Sequence, residues 1–202
     1  MNNVWNYTTP GIPDELFIRG DIPMTKQEAR SLTLAKLKLK DNLIIWDVGA
    51  GTGSISVETA LQCKNGKVFA IERNVEALEL IKQNAERFGV SNIEIIPEAA
   101  PEALYELPAP DRVIVGGAGE QLIEVLDYTN KVLAPGGIIV TNGITIETVS
   151  ETLEWLEKNN YTDIDAVCIS ASRMKKMGNR HAFLATNPIY IVSGRKEPVH
   201  EG

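Results

Sequence analysis

The run Asp47-Val48-Gly49-Ala50-Gly51-Thr52-Gly53 directly follows the apolar stretch Leu43-Ile44-Ile45-Trp46. Three glycines at alternate positions between a strand and a helix make a loop without side-chain bulk, against which a flat or charged ligand can lie. The first amides of the next helix point at such a ligand. Asp47, at the mouth of the strand, selects among ligands. A carboxylate there repels a pyrophosphate and attracts an ammonium or sulfonium group, which favours S-adenosylmethionine over a dinucleotide.

Spacing supports that choice. The dinucleotide fingerprint G-x-G-x-x-G has its third glycine where the helix starts; here Ser54 stands at that place and the pattern reads D-x-G-x-G-x-G. Downstream, Lys67-Val68-Phe69-Ala70-Ile71 reads as a second strand and ends on Glu72. An acid at that position is placed to accept hydrogen bonds from two ribose hydroxyls. The glycine loop and Glu72 are in register with each other.

Strand and helix patterns alternate from about residue 41 onward, which implies a parallel sheet with helices on both faces. The strands expected are Leu43–Asp47, Lys67–Glu72, Ile93–Pro97, Arg112–Gly116, Gly137–Thr141, Ala166–Ser172 and Ile189–Ser193. Helices are expected over Glu76–Phe88, with Gly89 as the stop, over Gln121–Leu133 and over Ile146–Lys158. Ahead of the first strand, Thr25-Lys26-Gln27-Glu28 has the form of a capping box, predicting a helix with Ala29, Leu32, Ala35 and Leu37 on its apolar side. Pro10, Gly11, Pro13 and Pro23 punctuate an extended segment before it. Between the sixth and last strands, Ser172–Pro188 is too short on regular structure for a crossover helix, so the last strand is expected antiparallel; by analogy with the common methyltransferase sheet, which these strands and helices resemble, it is placed between the fifth and sixth.

The chain has 202 residues, a length that suits one domain over 1–202, with 1–40 forming an N-terminal segment and helix packed over the cofactor site. Its net charge of −7 weighs against a nucleic-acid partner. No apolar run is long enough for a membrane span, and Met1-Asn2-Asn3-Val4-Trp5 lacks the pattern of a signal peptide. Cys63 and Cys168 are far apart, outside any C-x-x-C context, and are read as reduced core thiols of a cytoplasmic protein. His181 and His200 are the only histidines, so no metal-ligand spacing exists and no metal is expected.

Four stretches occur in order: Gly11-Ile12-Pro13-Asp14-Glu15-Leu16-Phe17, Pro23-Met24-Thr25-Lys26-Gln27-Glu28-Ala29-Arg30, the glycine loop through Ser54, and Val115-Gly116-Gly117-Ala118-Gly119. Together they resemble the cobalt-precorrin C15-methyltransferase (decarboxylating) family of cobalamin biosynthesis, over about residues 11 to 194. The glycine loop alone is shared by most class I methyltransferases; the Pro-Met-Thr-Lys segment and the Gly-Gly-x-Gly loop are much more specific. The resemblance implies a Rossmann-like, seven-stranded, mostly parallel α/β sheet and methylation of C15 of a cobalt-precorrin tetrapyrrole by S-adenosylmethionine. It also implies loss of carbon dioxide from the ring C acetate, a stand-alone unit of the anaerobic pathway, and a homotetramer.

By the same resemblance, Gly49, Ala50, Gly51, Thr52 and Gly53 contact the methionine part of the cofactor, Glu72 the ribose, Ala99 and Ala100 the adenine region, and Thr25 the cofactor from the N-terminal segment. Gly116 and Gly117 leave room for a bulky, flat macrocycle; the Asn-Pro-Pro-Tyr-like stretch of enzymes acting on base nitrogens is absent. A carboxylate-rich substrate calls for cations, and two clusters offer them: Arg173, Lys175, Lys176 and Arg180 with His181, and Arg19, Lys26 and Arg30. Candidate proton donors are Glu102, Glu120 and His181. The competing readings are a class I methyltransferase acting on RNA or protein, and a nucleoside-binding module without transfer activity.

Overall fold

The structure is a computed structural model that describes residues 4–197. Met1, Asn2 and Asn3, on which the reading of the N-terminus partly rests, and His200 lie outside the described residues. In chain order the elements are α1 (Gln27–Leu37), β1 (Ile44–Val48), α2 (Ser54–Gln62), β2 (Lys67–Ile71), α3 (Val75–Phe88), β3 (Ile93–Ile96), β4 (Arg112–Val115), α4 (Leu122–Val132), β5 (Ile138–Gly143), α5 (Ile146–Lys158), β6 (Thr162–Ile169), β7 (Ser172–Met177), β8 (Arg180–Ala185) and β9 (Ile189–Arg195).

Seven strands form one sheet in the order β3-β2-β1-β4-β5-β9-β6. The first five are parallel, and β9 runs antiparallel between β5 and β6, the place that the resemblance implies for the last strand. Residues of β1 alternate between two cores: Trp46 and Val48 face Leu122, Val125, Leu126, Trp155 and Leu156 of α4 and α5, whereas Ile45 faces Leu37, Ile55 and Ala60 of α1 and α2. The period of two in the strands thus divides the apolar residues between the two helical layers.

Several expectations need correction. The sixth strand, expected over Ala166–Ser172, begins four residues earlier; its Asp-rich start, with Asp163 at φ +50° and a register shift between Thr162 and Asp165, conceals it in the sequence. Cys168 sits in that strand but is exposed, because β6 is the edge of the sheet; Cys63, buried at the end of α2, is a core thiol as expected. The segment after β6, read as poor in regular structure, is a two-stranded hairpin of β7 and β8 standing apart from the main sheet.

The capping box at Thr25 does not form either. Lys26 is the N-cap of α1 and no side chain of its own caps the helix; the Gln27 amide donates instead to Asp14 Oδ1, 2.9 Å away and thirteen positions earlier in the chain. Glu28, the expected reciprocal cap, pairs with Arg173 of β7 at 2.8 Å. Tertiary acids and bases outcompete the local motif. The buried side of α1 is Ala29, Arg30, Thr33, Leu34 and Leu37, and Ala35 is exposed. Helix α3 follows its local signals: Asn74 caps it by accepting from the Ala77 amide, and Gly89 closes it at φ +65°.

Arg30 is the largest fully buried charge of the fold, at 0% exposure. Its Nε donates to Glu58 Oε1 of α2 at 2.7 Å and its Nη1 to Asp14 Oδ1 at 3.0 Å. The same guanidinium donates to the carbonyls of Ile12 and Thr25 and lies 4.7 Å from the Phe17 ring centroid. Glu58 in turn accepts from the Gly11 and Ile12 amides. The N-terminal segment is thereby clamped across the outer face of α2, which buries Ser54 through Ala60 on all sides. Removing one member of a buried charge cluster leaves its partners uncompensated, at a cost of about 3–5 kcal/mol. Arg30→Met is expected to destabilise the chain by that amount in urea unfolding, and Arg30→Met/Glu58→Gln to recover part of it by neutralising the orphaned acid.

Candidate functional site

The sheet order reverses between β1 and β4, and ligands of open α/β sheets bind outside the carboxyl ends of the strands at such a point. A cavity of about 650 Å³ lies there, within the range of small-molecule sites. Its floor is the glycine loop after β1. Val115 to Gly119 and Leu122 form one wall, Asn142 to Thr145 with Thr148 the other, and Pro23 to Lys26 a strap over the top, beside Thr186, Asn187 and Ile189.

The floor is stitched to the neighbouring strand end. The Gly49 and Ala50 amides donate to the Ile71 carbonyl at 3.0 and 3.1 Å, and the Gly51 amide donates to Glu72 Oε2 at 3.0 Å. Gly49 must lack a side chain for two reasons. Its φ is +76°, and a Cβ there would come within 2.8 Å of the Gly117 amide nitrogen, so the loops after β1 and β4 cross backbone on backbone. Gly53 serves packing: it is the N-cap of α2 at φ +74°, and a Cβ would press on Ile81 of α3 at 3.1 Å.

Asp47 is 1% exposed and accepts from Ser56 Oγ of α2. Burial pushes its carboxyl up to about 6, and the nearby Glu72 charge adds to the rise, while the Ser56 hydrogen bond opposes it. Among the described residues no cation pairs with it. A buried acid lining a cavity without a counter-charge is suited to a cationic ligand, so the residues present fit a sulfonium or ammonium group.

Of the residues singled out by sequence, Thr25, Asp47, Gly49, Ala50, Gly51, Thr52, Gly116 and Gly117 come together around this cavity. Glu72 stands behind the loop, its carboxylate accepting from the Gly51, Arg73 and Asn74 amides. Ala99 and Ala100 lie after β3, outside the cavity lining, Ala100 packing on the core. Glu102 and Glu120 are exposed on short 3₁₀ turns, and neither lines the cavity, although Gly119 beside Glu120 does. Lys176, Arg180 and His181 are exposed on the β7–β8 hairpin, which meets the cavity only at its base through Thr186 and Asn187. Arg173 has protein partners: Glu28, Gln27 and, at 3.9 Å, Asp14. Sequence reading missed the wall from Asn142 to Thr148. Its signal was available, because those residues lie at and just after the carboxyl end of β5, and the carboxyl ends of central strands face the ligand crevice.

A glycine elbow guarded by a buried acid, at the switch point of a seven-stranded sheet in this order, defines a class I methyltransferase. Residues 15–196 match the model of the precorrin methyltransferase domain, and the chain belongs to that family. A relative from Saccharolobus solfataricus, named a probable cobalt-precorrin-6B C(15)-methyltransferase (decarboxylating), is 41% identical over 95% of this chain and 98% of its own. The cobalt-precorrin-6B C(15)-methyltransferase (decarboxylating) of Salmonella typhimurium is 39% identical over 93% and 97%. The crystal structure of precorrin-6Y C5,15-methyltransferase from Geobacter metallireducens superposes with a TM-score of 0.88 at 38% identity, covering 93% of this chain and 98% of that one. Fold and family imply the use of S-adenosylmethionine.

The raised pKa of Asp47 ties stability to pH with a definite sign. The native carboxyl takes up its proton at about pH 6, above the unfolded value of about 3.9. The folded state therefore binds more protons in that window, and this group's contribution to stability falls as pH rises through it and stays lost above it. Asp47→Asn should raise the urea midpoint relative to the parent at about pH 8, and the difference should shrink at about pH 5, where both side chains are neutral.

Proposed function

We propose that the chain methylates C15 of a cobalt-precorrin-6B-type tetrapyrrole and removes carbon dioxide from its ring C acetate, the whole chain acting as one catalytic unit. Membership of the precorrin methyltransferase family supports the substrate class. The single observation that carries the chemistry is the buried, unpaired Asp47 beneath a bare glycine floor.

S-adenosylmethionine, when bound, supplies an electrophilic methyl group on sulfur and leaves as the thioether. Gly49, Ala50, Gly51 and Thr52 would hold its methionine part, Asp47 would supply the charge that its cationic groups need, and Thr25 would contact it from the strap. Glu72, fixed by three amides, takes the ribose; Gly53 sets the helix behind the loop, and Ala99 and Ala100 border the adenine. Gly116 and Gly117, being small, leave the neighbouring space to the flat macrocycle. An electron-rich ring carbon can attack the methyl directly, so the protein's main work is alignment and exclusion of water. In the decarboxylation the bond to the carboxyl carbon breaks, its electron pair enters the conjugated imine beside it, and a proton ends up on the remaining carbon. Glu120, next to the Gly119 edge of the cavity, is a better-placed donor than Glu102 or His181.

The functional unit is proposed to be a cytoplasmic homotetramer with no nucleic-acid or membrane partner. No helix among the described residues is long and apolar enough to cross a membrane. Support for assembly comes from the β7–β8 hairpin, where Met174 and Phe183 face each other across the strands at 61% and 73% exposure. A two-stranded hairpin is marginal in water without cover, and a second copy of the chain supplies that cover. Phe183→Glu should shift the sedimentation profile towards smaller species; an unchanged profile rules the hairpin out as the contact.

Three measurements test the catalytic reading together. Calorimetry should show binding of S-adenosylhomocysteine. At about pH 6 that binding should release protons from the parent and none from Asp47→Asn, because a cation beside Asp47 favours its charged form. Glu72→Ala should weaken the affinity about tenfold. Incubation with cobalt-precorrin-6B and labelled S-adenosylmethionine should give a product with one methyl gained and one carbon dioxide lost; methyl gain with the carboxyl retained refutes the decarboxylase half.

A further inference from the structure

The charges lining the cavity are few and segregated. Among the described residues its lining holds one acid, Asp47, on the floor, and one cation, Lys26, on the strap. The other cations that sequence offered are committed or remote. Arg30 is buried against Glu58 and Asp14, Arg173 is paired with Glu28, and Lys176 and Arg180 stand out on the hairpin. Lys26 makes no side-chain hydrogen bond or ion pair to any described residue, although its backbone is fixed as the N-cap of α1 and its carbonyl accepts from the Arg30 amide. It also lines a second hollow, of about 570 Å³, on the other side of the strap, with Phe17, Arg19, Gly20, Ile22, Pro23 and Met24. Arg19 there is exposed and likewise has no ion-pair partner among the described residues.

We infer that Lys26, seconded by Arg19 across the strap, binds a carboxylate that the substrate keeps, and so sets which way round the macrocycle enters. The inference rests on the tetrapyrrole reading and adds an orientation to it. An ammonium on a fixed backbone, lining the same cavity as the glycine loop, suits a peripheral carboxylate as a point charge. The carboxylate that is lost belongs elsewhere. A cation paired with it would stabilise the reactant more than the transition state, in which its charge moves into the ring, and would slow its departure. The cavity provides a cation-free wall for it, made by Val115, Ala118 and Leu122. Lys26 therefore acts by holding the ring so that the reacting side chain lies against that wall.

The test uses the full chain and the variants Lys26→Gln, Lys26→Arg and Arg19→Gln. S-adenosylhomocysteine titrations should agree within about twofold across the set, because the side chain of Lys26 bonds to none of the described residues. With cobalt-precorrin-6B, Lys26→Gln should raise KM about tenfold with kcat within about twofold, Lys26→Arg should restore most of the loss, and Arg19→Gln should have a smaller effect. Uroporphyrin, a flat octacarboxylate that cannot react here, gives a second readout through its fluorescence. Its affinity should fall with added salt for the parent and should be about tenfold lower and less salt-sensitive for Lys26→Gln. Equal uroporphyrin affinity of parent and Lys26→Gln, at unchanged S-adenosylhomocysteine affinity, overturns the inference and leaves the methyltransferase reading intact. Failure of the parent to bind S-adenosylhomocysteine or to turn over cobalt-precorrin-6B overturns that reading instead, while the uroporphyrin comparison still decides whether Lys26 is a carboxylate site.

Discussion

One buried guanidinium holds the roof of this cavity in place. Arg30 is surrounded by two carboxylates, two backbone carbonyls and an aromatic ring, and every one of those partners belongs either to the N-terminal segment or to α2. The Thr25 carbonyl is among them, so the strap that overlies the glycine loop is tied directly to the charge cluster. A cluster of this kind adds little net stability over an apolar replacement and is costly to break in part. Its value here is positional: together with the buried side chains of Ile12, Phe17 and Met24, it fixes an irregular segment above the floor.

The site itself is built from very little side chain. Floor and wall meet where Gly49 and Gly117 cross at backbone distance. That crossing keeps the cavity shallow on the sheet side and leaves the space above it for ligands. Two charged groups, Asp47 below and Lys26 above, carry the electrostatic selectivity of the lining. Alignment chemistry needs no more than this, since a nucleophilic ring carbon and an activated methyl react once they are in line and dry.

The strands, the parallel sheet they imply and the cofactor loop were legible because each rests on local pattern: apolar runs of strand length, glycines at alternate positions, and Asn74 and Gly89 at the ends of α3; the place of the last strand came from the resemblance, because local pattern carries no strand order. What sequence misread was decided at a distance. Thr25 and Glu28 have the spacing of a capping box, but Asp14 takes the helix amide and Arg173 takes the glutamate. Arg30 looked like a surface cation for substrate and is instead the most buried charge, because its partners Asp14 and Glu58 lie 16 and 28 positions away. The hairpin was hidden because Lys175, Lys176, Arg180 and His181 interrupt any two-residue apolar alternation. The residues Asn142 to Thr145 and Thr148 that form the other wall are all uncharged, and they are identified by where β5 ends.

Helix α2 lies in an outer layer yet is roofed over by the N-terminal segment. Ser56 bonds to Asp47 under the cofactor loop, Glu58 bonds to Arg30 and the Gly11 and Ile12 amides, and Ser54 through Ala60 are all buried. An ordinary surface helix spends half its positions on solvent, where evolutionary drift is nearly free. This one has almost no such positions. Across diverged relatives α2 should change slowly along most of its length, and invariance at Glu58 would look like catalysis although its cause is packing.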